Sequence, residues 1–289
     1  MQVVYHLGAH CTDAERLMKW LLKSRGAVAR AGTVIPGPYR CRPVLRDALE
    51  TLKGAPASAE AQEVLLDTIM DEDHARRLVF SNENFLALAA NALKPTQIYP
   101  RAEEKCAALR ALFPQEPTQF FLAIRNPATF LPMLFAKERG PDQALALSMT
   151  DPRDLRWSDT VRAIRRACPD APVTVWCDED SPLVMQDVLA AMTGIDDDTL
   201  FDGCFEVLEG LMTTAGLLSL RAALTPGLAA AERHRIIAAH LADHGQPEAF
   251  EIEIDLPDWN ADLIAQLTRG YDEDVERIAA LSDVTLIRP

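Results

Sequence analysis

The residues able to do chemistry gather just past short apolar runs. QVVYHL (2–7) is followed by GAHCTDAER, which sets Gly8, His10, Cys11 and Thr12 ahead of a helical pattern. A glycine that lets the backbone turn, and N–H groups converging before a helix, make a place for an anion. No lysine precedes Lys19, however, and Asp13 and Glu15 put carboxylates where an anion needs positive charge. TDAE (12–15) also fits a capping box, with Thr12 and Glu15 satisfying the first helical N–H groups, so the loop reads equally as a well-capped helix start. Cys11 precedes a helix N-terminus, which lowers a thiol pKa, but the two carboxylates work the other way.

Three further run ends carry candidates. RLVFS (77–81) leads into Asn82, Glu83 and Asn84. Glu83 there can act as a general base, or Ser81 or Asn82 can cap the next helix with Glu83 in its first turn. Arg125 emerges from QFFLAI and suits phosphate recognition or a buried ion pair. DED (178–180), like DDD (196–198), could attract a divalent cation, but loop carboxylates of this kind are mostly solvated. His240 and His244 share a helical face without the glutamate of a zinc-protease helix. No metal site is expected.

These positions depend on the elements beneath them. The spacing predicts strands at 2–7, 77–81, 119–124, 172–177 and 284–287, with a short extended piece at 32–38. Helices are predicted over 14–31, 43–53, 58–73, 83–93, 101–113, from 127 onward, and over 156–168 and 182–193. Strands alternating with helices of this length imply an α/β fold, a parallel sheet with helices on both faces. Helices at 205–224 and 227–244, then an alternating segment at 248–257, suggest that 195–257 is a helical insertion or cap. A helix at 259–281 closes the pattern, and 1–289 reads as one α/β domain. In such sheets ligands bind beyond the carboxyl ends of the strands.

Composition narrows the partners. The 289 residues hold 43 acidic and 29 basic side chains, a net charge of −14. The excess acid lies beyond residue 150, and Lys137 is the last lysine. Such a surface repels phosphates, so nucleic acid is not expected as a partner. No apolar run approaches the roughly 20 residues of a membrane span. The N-terminus lacks the charged and apolar regions of a signal peptide. Six cysteines without a C-x-x-C pair fit reduced thiols. A cytoplasmic protein with a small-molecule or protein partner is the expectation.

Taken in order, VVYHLGAHCT, LVFSNENF, FFLAIRNP, PVTVWCDED and YDEDVERIAALSDVTLIRP resemble the sulfotransferase family, particularly its bacterial members. The resemblance spans most of the chain. It implies a P-loop-like α/β fold and 3′-phosphoadenosine 5′-phosphosulfate as cofactor. Against the family's G-x-H-K-T-G-T-T loop, Gly8, His10 and Thr12 match. Arg125 matches the arginine that holds the 3′-phosphate, and Glu83 the carboxylate proposed as base in some members. The resemblance therefore assigns Gly8, His10, Cys11, Thr12 and Arg125 to the cofactor, and Glu83 with His10 to catalysis. Cys11 stands where the family has its lysine, Asp13 replaces a loop glycine, and Met133 takes the place of a serine after the arginine. Loss of one stabilising donor costs on the order of 100- to 1000-fold in rate. The expectation is a sulfotransferase-like fold that has lost standard sulfuryl transfer and serves as a binding or scaffold module. An active transferase with a remodelled loop is the alternative.

Overall fold

A computed structural model describes residues 1–12, 16–137, 149–195, 201, 203–252, 254, 256 and 259–289. Its main sheet has six parallel strands: β1 (Gln2–His6), β2 (Thr33–Val34), β3 (Arg77–Ser81), β6 (Thr118–Ile124), β7 (Val173–Cys177) and β8 (Val284–Ile287). They lie in the order β2-β3-β1-β6-β7-β8. Strand β1 pairs with β3 on one side and β6 on the other, with Tyr5 opposite both Phe80 and Phe120. The chain leaves β1 in one direction along the sheet and later crosses back over it to β6. That reversal of strand order places a crevice at the carboxyl ends of β1, β3 and β6.

Period-2 alternation splits the strand side chains between two cores. Val3, Tyr5, Phe80 and Phe120 face one core. Helices α3 (Pro38–Leu52), α4 (Ala59–Ile69), α5 (Ala102–Leu112), α6 (Pro127–Lys137), α7 (Trp157–Ala167) and α12 (Ala261–Ala279) cover it. Val4, Val79, Phe121 and Trp176 face the other. There they meet α1 (Arg16–Lys23), α2 (Arg25–Arg30) and α8 (Ser181–Thr193). Each such side chain stabilises the fold by about 1.5–3 kcal/mol, more than the roughly 1 kcal/mol of a helix cap. Packing therefore outweighs capping in fixing where the helices lie.

Between α8 and α12 the chain forms α9 (Gly203–Glu209), α10 (Thr214–Ala223) and α11 (Ala230–His244). They enclose a small core of their own around Phe205, Leu208, Leu220 and Ile237. The expected helix 205–224 is broken, because Thr213 caps α10 by accepting from Gly216 N at 3.2 Å. Trp20 Nε1 donates to Glu206 at 2.8 Å, and Gly203 lies so close that an added Cβ would stand 2.2 Å from Trp20 Cβ. Buried Arg233 and His234 of α11 both engage Asp187 of α8, the latter at 2.6 Å.

Several expected elements differ. Helix 14–31 is two helices that meet at Ser24, and α3 begins at Pro38. A proline suits the first helical position because its missing N–H has no helical partner. Over 83–93 there is no α-helix: the chain makes a turn, a short 3₁₀ segment (Ala89–Asn91) and then the hairpin β4 (Leu93–Lys94) with β5 (Gln97–Ile98). Burial of Phe85, Leu86, Ala89 and Leu93 overrides the helical propensity of that stretch. No strand forms among the described residues of 248–257, where Phe250 and Ile252 are exposed.

Candidate functional site

Beyond β1 the backbone keeps bonding to β6. Leu7 N donates to Phe121 O at 2.8 Å, Ala123 N to Gly8 O at 2.8 Å, and Ala9 N to Ala123 O at 3.2 Å. Gly8 adopts φ +99°, and a Cβ there would sit 3.1 Å from Glu83 Cα. The glycine thus allows both the left-handed turn and the close passage of the β3 loop. His10 N donates to the Tyr99 hydroxyl at 2.8 Å, and Thr12 Oγ1 to Ala9 O at 2.7 Å. The N–H groups of Leu7, Ala9 and His10 are therefore bonded within the fold rather than turned toward a ligand. Residues 13–15, the rest of the expected capping box with the carboxylates of Asp13 and Glu15, lie outside the described residues.

His10 is fixed through both ring nitrogens. Its Nδ1 lies 2.7 Å from Tyr99 Oη and its Nε2 3.1 Å from Asn84 Oδ1. Asn84 Oδ1 can only accept, which calls for hydrogen on Nε2, and a neutral ring then takes the Tyr99 proton at Nδ1. Burial holds the Tyr99 phenol well above its ordinary pKa, so it remains a proton donor. His10 is completely buried and stacked on Tyr99, centroids 5.8 Å apart. This histidine braces the loop.

Arg125, at the end of β6, forms the ion-paired reading of the two left open by the sequence. Its Nη1 donates to Asp178 Oδ2 at 3.1 Å and to Cys11 O at 2.7 Å, and its Nε to Thr129 Oγ1 at 3.0 Å. Trp157 Nε1 donates to its carbonyl at 2.7 Å. The Arg125 and Asp178 side chains are only 12% and 13% exposed. One guanidinium thereby joins the ends of β1, β6 and β7. The adjacent Glu179 is also engaged, accepting from Asn126 N at 2.8 Å and from the Tyr271 hydroxyl at 3.1 Å.

Glu83 pairs with Lys137 at 2.6 Å, the lysine reaching over from the end of α6. Cys11, at φ +60°, sits among these charges. Burial, opposed by Lys137 and Arg125 and reinforced by Glu83 and Asp178, pushes its thiol up to about 11. The thiolate expected of a reactive cysteine does not form near neutral pH.

All the strand-end candidates thus converge: Gly8, His10, Cys11, Thr12, Glu83 and Arg125 line one corner. Tyr99, Lys137 and the pairing of Asp178 with Arg125 escaped the sequence reading. Lys137 had one signal, as the last lysine before a long arginine-only stretch. Tyr99 had none, since it reaches His10 only by way of the hairpin. Away from this corner, His240 is held by Ile236 O at 2.8 Å and by Ser219 Oγ at 3.3 Å. Among the described residues no group of three or more His, Cys, Asp or Glu is arranged to hold a metal ion, and no helix is long and apolar enough to cross a membrane. Compared with known proteins, the chain matches no family model, and no curated protein is detectably similar to it.

Proposed function

We propose that the chain is a binding module on a sulfotransferase-like fold that has given up standard sulfuryl transfer. The observation that carries this reading is the state of Arg125. The guanidinium that would take the 3′-phosphate of the cofactor donates instead to Asp178 and to Cys11 O. A phosphate entering there would have to displace a carboxylate from a mostly desolvated pair, which is costly. The loop that would hold the 5′-phosphosulfate has its N–H groups at 7, 9 and 10 bonded to β6 and to Tyr99. These residues do not fit 3′-phosphoadenosine 5′-phosphosulfate. A cysteine-based enzyme is disfavoured by the raised Cys11 thiol. All six cysteines are free thiols, which supports a reducing, cytoplasmic setting.

One contact favours the second reading, an active transferase with a remodelled loop. Lys137 brings to Glu83 a cation of the kind the loop lacks. Calorimetric titration with 3′-phosphoadenosine 5′-phosphate separates the two. The binding-module reading expects no heat at millimolar ligand. Binding tighter than about 10 µM that Arg125→Ala abolishes would overturn it and favour the transferase.

A further inference from the structure

A cleft of about 890 Å³ lies between α3 and α5, and it reaches the Arg125 corner at Asn84, which also holds His10. This volume is in the range of about 300–1,000 Å³ typical of small-molecule sites. Its floor is apolar, built from Leu45, Leu49, Phe85 and Leu109. Leu88 stands at its edge with 63% of its surface exposed, although it follows directly on a buried stretch. The charged residues around it are Arg42, Arg46, Lys53 and Lys105 against Glu50 and Glu104. Glu104 is taken up by Arg101, at 2.5 and 2.8 Å. Arg46 meets only the solvent-exposed Asp47, a contact of little strength. Among the described residues Lys53 and Lys105 make no ion pair, and Lys105 is half-buried. In a chain of net charge −14, this cleft is locally cationic over an apolar floor.

From this juxtaposition we infer that the α3–α5 cleft binds a single-chain organic carboxylate, its head against Lys105, Lys53 and Arg46 and its apolar body over the leucine floor to Leu88. Lys105, Lys53 and Arg46 supply the attraction that a neutral or cationic chain lacks. Covering Leu88 and the floor supplies the burial that a small hydrophilic anion lacks. The inference goes beyond the binding-module reading by giving the ligand class. It rests on the cleft's cations and leucines and not on Arg125, so the two readings are tested separately.

Dodecanoate, kept below its micellar concentration, is the probe for calorimetry on the full chain. Saturable 1:1 binding with Kd on the order of 10 µM is expected. Dodecan-1-ol and dodecyltrimethylammonium should bind at least about tenfold more weakly, as should dodecanoate to Lys105→Glu and to Leu88→Asp. Lys94→Glu, on β4 outside the cleft, should bind like the parent. Thermal melts confirm that each variant is folded before its titration is read. The inference is overturned if dodecanoate does not saturate, if the ammonium binds as well, or if the folded Lys105→Glu and Leu88→Asp proteins bind unchanged. It is equally overturned if the chain binds only phosphatidylglycerol vesicles and not the monomeric acid. Silence toward dodecanoate leaves the Arg125 reading untouched, and heat with 3′-phosphoadenosine 5′-phosphate leaves the cleft untouched.

Discussion

The crevice at the strand ends and the cleft between α3 and α5 share one face of the sheet, yet they treat polar groups in opposite ways. In the crevice, Arg125 bridges Asp178 and Cys11, His10 is held between Tyr99 and Asn84, and Lys137 sits on Glu83. In the cleft, Arg46, Lys53 and Lys105 stand over leucines, while Arg42 is held by Ser81 O. Topology made the crevice the natural ligand site, but a polar network satisfied from within has little left to offer a guest. The two regions set placement at a switch point against cations beside exposed apolar surface as rival grounds for binding.

The largest expected break in this contrast is Arg125→Ala. It leaves Asp178 mostly buried without its cation and Cys11 O without its donor, and should cost about 3 kcal/mol in urea unfolding. Replacing both partners, Arg125→Met with Asp178→Leu, should recover much of that. A loss under about 1 kcal/mol for Arg125→Ala would mean that the crevice is no tighter than a surface pair.

Next comes the Cys11 thiol, held near 11 against an ordinary 9.0. Iodoacetamide should modify it about 100-fold more slowly at neutral pH than an ordinary thiol, with half-maximal rate near pH 11. The sign of the linked stability follows. Its contribution is complete below pH 9, where the unfolded thiol also keeps its proton, and is lost as pH rises through 11. A midpoint below pH 9 would show the loop to be open.

Tyr99→Phe removes the hydroxyl shared by His10 N and Nδ1, at a cost of about 1–2 kcal/mol. The ¹⁵N spectrum of the parent should show His10 with hydrogen on Nε2, which Asn84 still favours in the variant. Hydrogen on Nδ1 in the parent would break the assignment. Smallest of all, Lys105→Glu in the cleft should stay within about 0.5 kcal/mol of the parent, because that lysine makes no ion pair among the described residues and loses only its attraction to the exposed Glu104. A larger loss would mean that the cleft, too, is satisfied from within.

What could be read in advance follows the range of each interaction. The strands were legible because two-residue alternation and abrupt polar ends are local, and Gly8 and Arg125 stood out as the residues at those ends. That Arg125 would meet Asp178 depends on β6 and β7 being neighbours, which chain order does not determine. Tyr99 reaches His10 across 89 positions through a hairpin that the helical pattern of 83–93 concealed. Lys137 needed the whole of α6 to arrive at Glu83. Local codes gave the elements, and long-range packing gave the partners.

The separate core of α9, α10 and α11 has a consequence in time. Helix α9 also buries Val207 in the sheet's second core, whereas α10 and α11 pack into the smaller one, so the α10–α11 pair is the part expected to open without unzipping the sheet. Its backbone amides should take up deuterium well before those of β1, which lies between two hydrogen-bonded neighbours. A protease added under native conditions should make its first cut among the described residues there, leaving the six-stranded sheet intact.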